Sequence, residues 1–291
     1  MKANVLNING EKVKSIELPS QFNEEYRPDL IKRAVWVIQN NKRQAYGAFE
    51  RAGKDYSAKL SRRRKHYKTS YGHGISRVPR KTLWHRGAQF GWVGALAPGT
   101  VGGRRAHPPK AGKIWEQKIN KKERRKAIRS AIAATALKDI LNKNIEVPLI
   151  VENKLESLNK TKDVEKFLIK LGLENELERL KIKNIRAGRG KLRGRRYKRK
   201  RGPLIVISGE CKLLKSACNI PGVNIVEVKN LNAELLVQGL NPRLTIWTEN
   251  SIEKLKNENL FLGKPSKKNV EKKVSEKERP KEIKKNIKEK K

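Results

Sequence analysis

The groups in this chain best equipped for chemistry are cations set close together. Arg62, Arg63, Arg64 and Lys65 stand in a row, Arg77, Arg80, Lys81 and Arg86 follow, and Arg104 and Arg105 precede His107 and Lys110. The run GRGKLRGRRYKRKRGP at 188–203 adds Arg189, Lys191, Arg193, Arg195, Arg196, Lys198, Arg199, Lys200 and Arg201. A guanidinium is a planar fork that grips two phosphate oxygens at once, and interleaved glycines let the backbone itself approach a phosphate chain. The chemistry these residues suit is recognition of a polyanion. A solvated charged face, or an import signal at 188–203, is the plainer alternative. Aromatic residues between the cations, as in Arg80-Lys81-Thr82-Leu83-Trp84-His85-Arg86, could stack against irregular RNA or anchor the segment on itself.

Bond-making constellations are weak. There is no GxxxxGK[ST], and no GxGxxG follows the first expected strand. His66, His73, His85 and His107 are isolated, with no HxxxH or CxxC spacing, so neither a metal nor another cofactor is expected. Ser208-Gly209-Glu210 follows an apolar run at the place where α/β proteins often bind ligands, yet Ser208 or Gly209 reads better as a helix cap. Cys211 and Cys218 are seven apart in what reads as one helix, about 10 Å between Cα atoms, too far to bridge; both read as buried thiols. No acid–base pair emerges, and neither an enzyme nor a small-molecule substrate is expected.

Composition agrees. The 291 residues hold 70 Lys and Arg against 29 Asp and Glu, a formal net charge of +41. Charge of that size repels itself on compaction and adsorbs polyanions. Aromatics make up only 5% of the chain, so base stacking is not the main theme. No window nears the roughly 18 apolar residues of a membrane span, and MKANVLNINGEKVK lacks the apolar core of a secretory signal. A soluble intracellular chain without a membrane partner is the expectation.

The charge is unevenly spread. Residues 1–50, 138–180 and 202–263 are close to neutral, whereas 51–113 carries +15, 114–137 +5, 181–201 +12 and 264–291 +8. The neutral segments have the texture of an α/β fold. Strands are expected at 3–9, 12–18, 147–152, 203–208, 224–228 and 243–247, with helices at 29–44, 163–171, 175–183, 210–218 and 233–236. A basic helix follows Asn120, whose capping-box partner would be Glu123; it opens with Lys121, Lys122, Arg124 and Arg125 and runs to about Leu141. A last helix is expected to be capped by Asn250, with Glu253 three residues on. Short apolar strands alternating with helices predict a mostly parallel sheet covered by helices on both faces.

The expected organisation is therefore a discontinuous globular domain, 1–52 with 114–263, interrupted by a long extended loop, 53–113. A second basic loop lies at 186–203, and 264–291 forms a Lys/Glu-rich basic tail whose composition suits disorder. Residues 51–113 show no period of 2 or 3.6, yet they hold Tyr56, Tyr67, Tyr71, Trp84 and Trp92, which disordered tails lack. This segment looks built to become ordered against something.

Three blocks carry a resemblance: RVPRKTLWHRGAQF (77–90), PGTVGGRRAHPPK (98–110) and NKKERRKAIRSAIAATA (120–136). They resemble the universal large-subunit ribosomal protein four family in its archaeal and eukaryotic branch, with the archaeal form closest, and looser similarity extends over about 1–260. The resemblance implies an α/β domain on the outside of the large subunit, monomeric there. Its long loop would thread large-subunit rRNA to the wall of the nascent-peptide exit tunnel, beside the neighbouring ribosomal protein that shares the constriction. It further implies early rRNA binding and a structural role in the cytoplasm. Motif by motif, Arg77, Arg80 and Arg86 fall toward the inner end of the loop, with Trp84 and His85 between them. Arg104, Arg105, His107 and Lys110 fall on its returning limb, and Arg193, Arg195 and Arg196 in the second rRNA-contacting loop. The stretch Trp84–Ala97 departs from the family pattern in length and aromatic content. Two other readings stay open: an RNA-modifying enzyme of Rossmann-like fold, and a free-standing RNA chaperone or regulatory binder.

Overall fold

A computed structural model describes residues 1–87, 89–138, 146–239 and 241–262. The chain divides into two compact units: Asn40–Gln117, and the sequence on either side of it. In chain order, β1 (Lys2–Leu6) and β2 (Lys12–Glu17) precede α1 (Pro28–Asn41), and β3 (Arg80–Arg86) and β4 (Gln89–Gly94) follow within the second unit. Then come α2 (Lys121–Ala134), β5 (Leu149–Val151), α3 (Thr161–Lys170), α4 (Glu174–Lys181), β6 (Lys183–Ile185) and β7 (Tyr197–Arg199). The chain continues through β8 (Leu204–Ile207), α5 (Leu213–Ala217), β9 (Asn224–Glu227), α6 (Ala233–Leu236), β10 (Val237–Gln238), β11 (Asn241–Pro242), β12 (Thr245–Thr248) and α7 (Glu249–Asn257).

The first unit is built on one six-stranded sheet in the order β2-β1-β5-β12-β8-β9, parallel throughout except for the edge strand β2. The central strands read as unbroken apolar runs because both of their faces are buried: LIV, LIVI and TIWT have no exposed residue. Alternate side chains enter two separate cores. Ile150, Leu204, Val206 and Trp247 join α1, α2 and α7 on one face, through Ile31, Ala34, Ile128, Ile132, Ile252 and Leu255. Leu149, Val151, Ile205, Ile207 and Ile246 meet Val164, Phe167 and Leu168 of α3, Leu177 of α4 and Leu213 of α5 on the other. The central sheet is thus parallel in the main, with helices packed on each side.

Several local expectations are corrected. Asn120 precedes α2 but its side chain makes no capping hydrogen bond, and Glu123, instead of reaching back to it, pairs with Arg33 at 2.8 Å. Asn250 lies inside α7; Thr248 is the N-cap residue, and the Asn250 amide is met by Asn153 Oδ1 at 2.8 Å from a distant turn. Ser208 caps no helix either. Its amide and hydroxyl both donate to the Glu156 carboxylate at 3.1 Å, which also accepts from Thr248 Oγ1 at 2.7 Å, while Lys254 Nζ donates to the Ser208 carbonyl. The crevice at the carboxyl ends of β8 and β12 is therefore occupied by the protein's own carboxylate. The helix at 213–217 is too short to hold both cysteines: Cys211 is half-buried, with its thiol pKa raised by burial, and Cys218 is exposed rather than buried. The basic helix ends at Ala134, short of the expected Leu141, because the chain turns at its C-cap residue Thr135; Leu141 itself and the tail at 264–291 lie outside the described residues. No helix among the described residues is long and apolar enough to cross a membrane.

Candidate nucleic-acid interface

The unit Asn40–Gln117 is organised without a core. Among its described residues only Thr69, Ser70 and Ala95 are buried. Its two limbs run side by side instead. Asn41 and Gln117 exchange two hydrogen bonds, Asn41 Nδ2 to the Gln117 carbonyl at 3.2 Å and the Gln117 amide to Asn41 Oδ1 at 2.9 Å. Farther along, the Ala48 amide donates to the Pro109 carbonyl at 2.9 Å. Contact here is so close that only glycine fits: a Cβ on Gly47 would lie 2.5 Å from the Ala111 nitrogen, and one on Gly53 2.5 Å from the Arg104 nitrogen. Gly53 also has φ +74°, a conformation that side chains resist.

Beyond the limbs, β3 and β4 pair antiparallel from Arg80↔Gly94 to Arg86↔Gln89. Sequence periodicity could not announce this hairpin, because neither face of it is buried and no apolar alternation is needed. It occupies most of the stretch Trp84–Ala97 that departs from the family pattern. Trp84, His85 and Arg86 sit near its turn; Arg80 sits at its base, about 20 Å back along an extended strand, with Arg77 just before it. The hairpin therefore brings three of these five residues together at one end and leaves the other two apart from them.

The aromatic residues here are partners for the protein's own cations. Arg77 lies 4.7 Å from the Tyr71 ring, Arg80 5.5 Å from Trp92, Lys81 4.1 Å from Tyr56, and Lys68 5.3 Å from Tyr67. Arg43 and Lys113 both approach Trp115, at 4.6 and 4.7 Å, and Tyr46 stacks on the same ring. Such contacts stabilise an exposed site by about 0.5–1 kcal/mol each. They hold their cations in place. Arg80 is held further by Val78 and Ser76, through hydrogen bonds of 3.3 and 2.9 Å. The plainer reading of the aromatics, self-anchoring, thus describes much of what they do in the chain alone. Arg43, Lys68 and Lys113 stand outside the cation clusters of the sequence; nearness in sequence to Tyr67 and Trp115 could have found Lys68 and Lys113, whereas only the fold brings Arg43 to Trp115.

The second basic segment is also a hairpin, with β6 and β7 in register Lys183↔Arg199, Asn184↔Lys198 and Ile185↔Tyr197. Arg186, the first residue of the expected basic loop but not among its candidate contact residues, stitches it. Its amide donates to the Arg196 carbonyl, its Nε to that of Arg195 and its guanidinium to that of Tyr197. The base is held by Arg243, buried to 5% exposure, whose guanidinium donates to the carbonyls of Gly202, Pro203 and Gly222 and to Asn224 Oδ1. Burial, with the nearby Arg201, pushes the Arg243 pKa down to about 10, still far enough above neutrality to keep the cation.

The candidate contact residues stand out by exposure. Arg62, Arg63, Arg64, Lys65, Arg77, Arg86, Arg105, His107 and Lys110 are exposed, as are Lys121, Lys122, Arg124 and Arg125 at the start of α2. So are Arg189, Lys191, Arg193, Arg195, Arg196, Lys198, Arg199, Lys200 and Arg201, while Arg80, Lys81 and Arg104 are half-buried. The one carboxylate within 51–113, Asp55, is engaged by Arg51 at 2.9 Å. The first unit differs: there Arg129 pairs with Glu24, Arg179 with Glu176 and Lys229 with Glu258. Among the described residues no group of three or more His, Cys, Asp or Glu could hold a metal ion. The arrangement can bind anions over a wide surface.

Comparison with known proteins agrees with that surface. Residues 16–258 match the model of the ribosomal protein L4/L1 family. The chain is 50% identical over 269 residues to the large ribosomal subunit protein uL4 of Nanoarchaeum equitans, covering 90% of this chain and 100% of the relative. It is 47% identical to that of Archaeoglobus fulgidus over 262 residues, and 46% to that of Methanocaldococcus jannaschii over 265, each covering 88% of this chain and 98% of the relative. A family model spanning most of the chain and relatives this similar over nearly their whole length assign it: the chain belongs to the ribosomal protein L4/L1 family.

Proposed function

We propose that this chain is a structural, non-catalytic constituent of the large ribosomal subunit, held there as a single copy by large-subunit rRNA. The observation that carries this reading is the sorting of charge. Ion pairs gather about the sheet, as at Arg33, Arg129 and Arg179, whereas the cations of 62–65, 121–125 and 189–201 are exposed with no ion-pair partner among the described residues. Exposed arginines without carboxylates are the usual equipment for phosphate backbone. The large-subunit names of the relatives support the same reading.

In this account the cations of Asn40–Gln117, of the start of α2 and of the β6–β7 hairpin neutralise phosphates in several rRNA domains early in assembly. The β3–β4 hairpin reaches the wall of the nascent-peptide exit tunnel, where Trp84, His85 and Arg86 lie nearest the lumen and a neighbouring ribosomal protein shares the constriction. The site of action is the cytoplasmic ribosome. The test is binding of the full chain to a large-subunit rRNA transcript across a salt series: log affinity is expected to fall steeply and linearly with log salt. Salt-independent binding overturns the proposal. Deleting 77–92 is expected to leave the sheet unit folded and to disturb subunit assembly or nascent-chain passage; unchanged ribosome profiles and growth remove the tunnel assignment.

A further inference from the structure

A cavity of about 410 Å³ opens in the sheet unit beside the start of α2, inside the roughly 300–1,000 Å³ range of small-ligand sites. Its walls are of two kinds. Ala34 and Ile38 of α1, Ile128 of α2, Leu231 and Phe261 make one side apolar, and Arg124 and Arg125 bring two guanidiniums to the other. No carboxylate lines it among the described residues. Nearby acids are engaged elsewhere: Glu123 holds Arg33 at 2.8 Å, Glu24 holds Arg129 at 2.7 Å, and Glu258 holds Lys229, itself a lining residue, at 3.2 Å. Arg124 and Arg125 are exposed and have no ion-pair partner among the described residues. They also sit in the opening turns of α2, where the helix dipole opposes cations unless an anion is present.

Phe261 supplies a second and independent observation. It adopts φ +63°, which is out of the ordinary for a bulky side chain, and its carbonyl is held by Arg129 Nη1 at 2.9 Å. Phe261 is half-buried: it packs against the core and lines the cavity as well.

We propose that this cavity receives one unstacked nucleotide of the bound RNA, with its base against Phe261 and the apolar wall and its phosphate on Arg124 and Arg125. A nucleotide alone among common ligands of a basic protein pairs a large apolar π-face with an anion a few ångströms away, which is the pairing of these walls. The inference rests on the rRNA reading above and goes beyond it, since phosphate contact alone needs no apolar cavity.

The test uses the full chain and a large-subunit rRNA transcript, with the urea midpoint of each variant measured alongside. Phe261→Leu keeps the apolar contact with the core and removes stacking; it is expected to lose about tenfold in affinity with the salt slope unchanged. Phe261→Tyr is expected to bind within about twofold of the parent. The Arg124→Ala, Arg125→Ala double variant is expected to flatten the salt slope by about two phosphates. If the parent binds with the expected salt dependence and Phe261→Leu binds equally well, the nucleotide site is wrong while the rRNA reading stands, and the cavity is left to a protein neighbour. If the parent itself shows no salt-dependent binding, both fail.

Discussion

The two units of this protein reach order by opposite means. The sheet unit buries apolar side chains in two layers, whereas Asn40–Gln117 buries three of its described residues and keeps its shape through backbone contact and cation–ring pairs. It also leaves Phe49, Leu83, Trp84, Val101 and Ile114 largely exposed. Large apolar side chains left this exposed are unusual among so many cations. The difference teaches that the first unit is held by its own core, whereas the second holds its shape with almost nothing buried.

The largest expected effect tests that contrast directly. Trp247 is fully buried and meets Phe22 edge to face at 5.3 Å. Trp247→Ala should lower the unfolding free energy of the full chain by about 3–5 kcal/mol in urea, whereas Trp92→Ala in β4 should change it by less than about 1 kcal/mol. Equal losses would mean that the second unit folds cooperatively with the first. Next comes Arg243→Met, which fits the space but strands three carbonyls; a loss on the order of 2 kcal/mol is expected, with the β6–β7 hairpin becoming the earliest trypsin site of the sheet unit. A variant as stable as the parent would show that Arg243 does not hold the base of the hairpin.

A smaller and different change is expected from Arg193→Ala, Arg195→Ala and Arg196→Ala together. Stability should stay within about 0.5 kcal/mol, because none of the three is buried, while the salt slope for rRNA binding should fall by about three phosphates. A stability loss without a change in slope would make these residues structural. The smallest effect concerns Asp29, in the first turn of α1, whose carboxyl pKa is lowered chiefly by its hydrogen bond from Arg27. A lowered carboxyl pKa stabilises the fold above the ordinary carboxylate range, and that contribution is lost as pH falls through the folded value. Asp29→Asn should therefore narrow its gap to the parent below about pH 4. A gap constant down to pH 2 would show that the charge contributes nothing.

Legibility followed the same divide. Buried strands such as LIVI and TIWT declare themselves, because a strand hidden on both faces must be apolar throughout. The amphipathic helices were equally readable. Local caps were not: Asn120, Ser208 and Asn250 each had the right side chain at the right spacing, and each was overruled by a partner far away in sequence. Glu123 turned to Arg33, Glu156 reached Ser208, and Asn153 met the Asn250 amide. In the second unit, charge and three motif blocks pointed to a partner, but nothing marked the β3–β4 hairpin, since a solvent-facing ribbon imposes no pattern. The roles of individual arginines were likewise hidden. Arg80, Arg186 and Arg243 bond to the protein's own carbonyls, and only geometry separates them from Arg193 or Arg62.

The joined limbs of Asn40–Gln117 have one more consequence. Asn41 meets Gln117, Ala48 meets Pro109, and Gly53 lies against Arg104, so each step outward on one limb is matched by a nearly equal step inward on the other. A ladder of this kind has its entry and exit at the same rung. Residues added or removed beyond Gly53 and Arg104 change only how far the ladder extends, never the alignment at its foot. Lineages could therefore lengthen, shorten or redecorate its far end without renegotiating the domain that carries it.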